Sequence, residues 1–159
     1  MIFPHVNGNN LSRRNYQLPA DFEGKLNLVI IPFERWQQSL VNTWIPFAQK
    51  MERLFHGFHY YELPTIYRMN ILGRTFLNEG MRAGIPDQKA RETTITLYLD
   101  KAGFRQSLHI PDEDDIYLFL VDQEGYIHWQ SFGEFSIDKS ESLMNALEGM
   151  LMPEPIIDN

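Results

Sequence analysis

Hydrophobic residues cluster in short blocks separated by polar turns, and the spacing within each block predicts its structure. From Leu26 to Phe33 the chain reads LNLVIIPF, a near-continuous β-branched run that predicts a central strand buried on both faces. Leu40, Val41, Trp44, Phe47, Ala48, Met51, Leu54 and Phe55 then recur at steps of three and four, predicting one long helix kinked at Pro46 and closed by Gly57. The aromatic run Phe58 to Tyr61 predicts a second strand that Pro64 stops, completing a strand-helix-strand unit. Residues Ile66 to Ala83 read as a further helix closed by Gly84 and Pro86, and TTITLYL from Thr93 to Leu99 reads as a third strand. Asp100 to Gly103 turns the chain into a short helical connection.

Ile116 to Val121 and Tyr126 to Ser131 flank Asp122-Gln123-Glu124-Gly125, the pattern of a β-hairpin in which glycine supplies a positive φ. Asp138 followed by Glu141 resembles a capping box before a last helix carrying Leu143, Ala146, Leu147, Met150 and Leu151 until Pro153. The opening through Ala20 is polar and turn-rich around Asn7 to Asn10, with Asp21 to Gly24 as a tight connection, and little chemistry is expected there. Strand, helix, strand, helix, strand, hairpin, helix predicts an α/β fold: a central mixed sheet with helices on both faces.

At 159 residues one core is expected, and 43% apolar with 22% charged residues is ordinary globular usage. A net charge of -7, with no dense basic stripe, argues against nucleic acid as a partner. The chain has no cysteine, which removes disulfides, thiolate nucleophiles and cysteine-ligated metals together. No stretch reaches the ~18 apolar residues of a membrane span, and MIFPHVNGNN lacks the layout of a signal peptide. The expectation is a soluble protein that does not span a membrane, cytoplasmic unless a targeting segment has been removed, with no cofactor.

Several segments resemble a known family. YQLPADFEGKLNLVIIPF is similar to the peroxiredoxin-like opening of a leucine-proline step, a glycine-lysine pair and a buried strand. LYLDKAGFRQSLHI and YLFLVDQEGYIHWQSFG are similar to the later strand and hairpin of that group, so the likeness to a thioredoxin-like domain runs from about Leu18 to Leu151. The runs WIPF, TITLYLD and YLFLVDQEGYIHWQSFG most resemble the mitochondrial ATP synthase assembly factors. The resemblance implies a three-layer thioredoxin-like sandwich and an assembly role with a protein partner.

Redox members of that fold place a reactive cysteine just after the first core strand, at a helix N-terminus that stabilises the thiolate. This chain has Glu34, Arg35, Trp36, Gln37, Gln38 and Ser39 there, so thiol-disulfide exchange and cysteine peroxidase chemistry are excluded. The cis-proline that shapes the substrate groove in such folds falls near Ile116, and it too is missing. Ligands of open α/β sheets bind at the carboxyl ends of the strands. Glu34, Arg35, Trp36 and Ile116 are therefore the candidate partner-binding residues. Against that stands the reading of Glu34 and Arg35 as solvated loop charges, with Trp36 packed on the helix.

Other chemistry-bearing residues have plain alternatives. His56 and His59 have a metal-compatible spacing, but Gly57 breaks the helix that would make them converge, and no metal site is assigned. His109 and His128 read as structural. Pro111 to Asp115 (PDEDD) gathers four carboxylates without the spacing of a calcium loop and reads as an acidic surface loop. Tyr60, Tyr61, Tyr67, Trp129 and Phe132 can form either an exposed aromatic face or core. No catalytic residue is assigned. The leading expectation is a non-catalytic, protein-binding assembly factor of unknown oligomeric state; the alternative is a small-molecule or metal-dependent enzyme using Glu34, Arg35 and a histidine in the same crevice.

Overall fold

The computed structural model describes residues 1–67 and 92–152. Its strands are β1 (Val6–Asn10), β2 (Asn15–Leu18), β3 (Leu26–Ile31), β4 (Phe58–Glu62), β5 (Thr65–Tyr67), β6 (Ile95–Leu99), β7 (Tyr117–Asp122) and β8 (Ile127–Phe132). The helices are α1 (Gln38–Asn42), α2 (Ile45–Leu54), α3 (Lys101–Ser107) and α4 (Ile137–Glu148), with a 3-10 turn at Arg35–Gln37. The central sheet has the order β4-β3-β7-β8, with β3 parallel to β4 and antiparallel to β7. A second sheet has the order β2-β1-β6-β5.

Alternation along β3 divides the interior into two cores. Leu28 and Ile30, paired with Leu120 and Leu118, face Trp44, Ala48 and Met51 of the α1–α2 region and Leu143 and Leu147 of α4. Val29 and Ile31 face the other way, with Phe119 and Val121, toward Phe104 and Leu108 at α3 and toward Tyr16, Leu18, Ile95 and Leu97 from the second sheet. Each such side chain contributes roughly 1.5–3 kcal/mol on burial. Trp44 also ties the helical layer to the end of the hairpin, its indole N–H donating to the Gly133 carbonyl at 2.9 Å.

Several expectations change in detail. The helix expected over residues 40–55 is two helices: Trp44 caps α2 and Pro46 lies in its first turn, where the missing N–H costs nothing, so proline starts a helix here instead of kinking one. The last helix is capped by Ser136, whose Oγ accepts from Lys139 N at 3.2 Å, and not by Asp138. The strand after Thr93 starts at Ile95 and belongs to the second sheet, where it pairs with β1. Ile66 and Tyr67 lie in β5, where a helix was expected, and the rest of that predicted helix lies outside the described residues.

The polar opening is a β-hairpin. Its strands hide one face only, burying Tyr16 and Leu18 while Asn7, Asn9 and Asn15 are exposed; Asn10, at the end of β1, is buried. Gly8 permits this arrangement: a Cβ there would stand 2.6 Å from Ile95 Cγ2 and 2.7 Å from Leu97 Cδ2, so β1 can lie on β6 only without a side chain. At the β7–β8 turn Gly125 adopts φ 97°, as the hairpin pattern requires, while Asp122 Oδ1 accepts from the backbone N–H groups of Glu124 and Tyr126.

Candidate functional site: the loop after the central strand

β3 delivers the chain to Pro32 and Phe33, both buried, and then to Glu34, Arg35 and Trp36, all exposed. Trp36 keeps 59% of its surface accessible, so most of the indole faces solvent. Gln37 is completely buried and holds the loop. Its Oε1 accepts from the N–H of Phe33 at 2.8 Å and of Glu34 at 3.2 Å, while its Nε2 donates to the Glu113 carbonyl at 2.7 Å. One amide therefore fixes the turn that displays Trp36 and attaches it to the acidic loop before β7.

That acidic loop has its own anchor. Glu113 receives Lys101 Nζ on one carboxylate oxygen and Arg105 Nη1 on the other, each at 3.1 Å, and Arg105 Nη2 reaches the Pro111 carbonyl at 2.9 Å. Asp112 accepts from the Tyr117 hydroxyl at 2.8 Å and from Asp114 N, and these bonds hold its carboxyl below the usual range. Ile116, at the position of the missing cis-proline, is wholly buried in the helical core, with its N–H and carbonyl bonded to Asp115 Oδ1 and Gly133 N. It offers no side-chain surface to a partner. The cis peptide among the described residues joins Leu18 and Pro19 instead.

At the carboxyl end of β4, Glu62 is buried at 8% exposure. Its carboxylate accepts from Gln38 Nε2 at 2.9 Å and lies 3.5 Å from Thr94 Oγ1, between the two sheets. Burial pushes its pKa up, and the two hydrogen bonds offset only part of that. Gln37 and Glu62 were not singled out from sequence. A buried glutamine has no motif, and the only hint for Glu62 was its place at the end of an aromatic strand.

The remaining candidates disperse. His59 Nδ1 stands 3.7 Å from Glu52, His128 Nε2 bonds Asp122 at 2.9 Å, and His56 and His109 are exposed. Among the described residues no group of three histidines or carboxylates is placed to hold a metal. Two grooves are open, one of about 830 Å³ reached by Arg14, Tyr16 and Tyr61, and one of about 620 Å³ between the 108–115 segment and β8. Glu34, Arg35 and Trp36 line neither. Tyr60 and Tyr61 are core residues, Trp129 is half-buried, and Phe132 is 61% exposed.

Two outcomes follow for this region. Gln37→Leu keeps the volume but strands the buried Phe33 N–H and leaves the part-buried Glu34 N–H and Glu113 carbonyl without this partner, so the urea midpoint should fall by the equivalent of about 1–3 kcal/mol; an unchanged midpoint contradicts the anchoring role. For Glu62 the folded chain holds the proton more tightly than the unfolded chain. The stability tied to protonation is thus fully present below the ordinary value of 4.5 and is lost as pH rises through the raised folded value. Glu62→Gln should therefore be more stable than wild type at neutral pH, with the gap closing on acidification. Melting curves across pH that stay parallel for the two proteins contradict this.

The comparisons agree on family and fold. A family model described as ATP10 protein matches residues 1–150. Among solved structures, a putative electron transfer protein from Aquifex aeolicus VF5 superposes with TM-score 0.62 at 11% identity, covering 92% of this chain and 94% of that one. The exposed lipoprotein thioredoxin of Streptococcus pneumoniae gives 0.57 at 11% identity, with 91% and 99% covered. A thiol:disulfide interchange protein from Bacteroides sp. gives 0.55 at 20% identity, with 94% and 90% covered. None of the curated proteins matches significantly. At these identities the structures establish a thioredoxin-like fold and no activity. Among the described residues no helix is long and apolar enough to cross a membrane, and the cytoplasmic placement expected from sequence gains no support, since the matched family is mitochondrial. With a family model covering nearly its whole length, the chain belongs to the ATP10 protein family, the ATP synthase assembly factors, and carries their thioredoxin-like domain without a cysteine.

Proposed function

We propose that this chain is a non-catalytic assembly factor that holds a polypeptide partner at the carboxyl end of its central sheet, in the mitochondrion, with Trp36 as the anchor and Glu34 and Arg35 beside it. The observation that carries this reading is a tryptophan 59% exposed on a turn that a buried glutamine holds rigid. Exposed tryptophan is the side chain most enriched among residues that dominate binding energy, and a pre-ordered loop loses little entropy when a partner arrives. The same place in redox relatives of the fold carries the reactive thiol; here no cysteine is present, so contact is retained and electron transfer is not.

Ile116 is wholly buried in the helical core and does not touch the partner. An enzymatic role for Glu34 and Arg35 is the less supported reading, since among the described residues neither side chain lines either of the two open grooves.

The test is recovery of partners on tagged protein from mitochondrial lysate of the source cells, with an Arg35→Ala/Trp36→Ala double variant alongside. Both residues are exposed, so the variant should unfold at the wild-type denaturant concentration. Loss of a tryptophan anchor worth about 2 kcal/mol or more lowers affinity roughly thirtyfold. A discrete partner retained by wild type and depleted in the variant is the expected result; the same partner recovered equally by both overturns the assignment of this face.

A further inference from the structure

β8 is an edge strand open along its middle: the Met1 carbonyl accepts from Ile127 N–H at 3.3 Å at one end, and Lys139 Nζ donates to the Phe132 carbonyl at 2.7 Å at the other. Its only strand neighbour among the described residues is β7, apart from a bridge between Ile2 and Tyr126 at its start. Natural edges are usually guarded by lysine, proline or inward-pointing charge. From Ile127 to Phe132 the sequence is IHWQSF, with none of these. The irregularity in its pairing lies near the beginning, between Leu120 and Val121, which leaves Trp129 to Phe132 in regular register.

The two faces of this edge differ. Gln130 and Phe132 pair with Phe119 and Tyr117 and so face the α3 side, where the groove of about 620 Å³ separates β8 from the 108–115 segment. Asp112, Asp114 and Asp115 line that groove, and among the described residues none of them has an ion-pair partner, whereas Glu113 between them holds both Lys101 and Arg105. Lys139, over the Phe132 ring, donates to the Phe132 and Glu134 carbonyls and not to these carboxylates. His109, also on the groove, is held at φ 55°, a conformation that costs a non-glycine residue energy and that collects at contact sites. On the opposite face stands Trp129, half-buried against α4 and bonded through its indole N–H to Ser142 Oγ at 3.0 Å.

We propose that β8 accepts an extended polypeptide as an added strand of the central sheet, and that the segment it fits alternates basic and apolar residues. The pleat requires the alternation: side chains toward α3 meet three carboxylates and Phe132, and those toward α4 meet the Trp129 ring. Backbone pairing supplies register-independent affinity and the charges select the sequence. A second copy of this chain is a poor occupant, because at a net charge of -7 antiparallel pairing of two β8 edges sets acidic grooves on the same side of the joined sheet. This surface is separate from the Trp36 turn, although it rests on the same reading of the chain as a polypeptide holder.

The probes are short acetylated peptides of alternating lysine and valine, and of alternating glutamate and valine, titrated into the full isotope-labelled chain and followed by amide resonances and hydrogen exchange. The lysine peptide should shift the Trp129 to Phe132 amides, slow their exchange and bind more weakly as salt rises, while the glutamate peptide should not bind. Replacing Asp112, Asp114 and Asp115 by asparagine should weaken the lysine peptide about tenfold at low salt. The exposed Asp114→Asn alone, which leaves the Tyr117 bond intact, should give a smaller loss in a chain of unaltered stability. Trp36→Ala should bind the peptide as wild type does, so a failure of the Trp36 face and a failure of this one are told apart. Equal binding of both peptides, shifts confined to residues away from β8, or a β8-dependent dimer in sedimentation each overturn the proposal.

Discussion

Every residue of β3 is buried, and each of its two edges is taken by a neighbouring strand. A strand in that position has no side chain and no backbone group left for function. What it can do is divide the interior and aim whatever follows it. Its odd and even positions feed two separate cores, one closed by α1, α2 and α4 and the other by α3 and the second sheet, so both layers must form for either face to be dry. The first solvent-exposed residues after it, Glu34 to Trp36, are consequently set at a fixed height above the sheet.

The turn at that position stays ordered without a thiol because its polar groups are satisfied from inside. In a redox relative of the fold the start of this helix faces a sulfur; in this chain the amide of Gln37 occupies the interior of the turn, accepts from two backbone N–H groups and donates to the neighbouring loop. That neighbouring loop is in turn held by Lys101 and Arg105 on Glu113. The turn can be ordered in a chain without cysteine because the groups that hold it, the Gln37 amide and the Glu113 carbonyl, are distinct from the residues it displays.

Much of this was legible in the chain. The near-continuous apolar run of β3, the glycine-closed hairpin of β7 and β8, and the apolar stripe of α4 follow directly from hydrophobic period and turn chemistry. The first hairpin was not, because β1 and β2 bury only alternate residues and carry asparagine and glycine where strands usually carry branched side chains; only the packing of Gly8 on Ile95 and Leu97 explains them. Thr93 to Leu99 was recognisable as strand, but which sheet it joins depends on long-range pairing that no local pattern encodes. At the site, charge and aromatic content marked Glu34 to Trp36, whereas Gln37 and Glu62 acquire meaning only from their burial, and Ile116 was drawn in by alignment to a proline and proves to be core.

If the turn at residue 36 is the contact surface proposed above, site-specific photocrosslinking reads contact at that residue directly. With a photoreactive phenylalanine analogue in place of Trp36, ultraviolet irradiation in mitochondria of the source cells should give one discrete adduct to a polypeptide, absent when the same analogue replaces the exposed Leu54 on α2. An adduct from position 54 and none from position 36 would place the contact surface away from this turn.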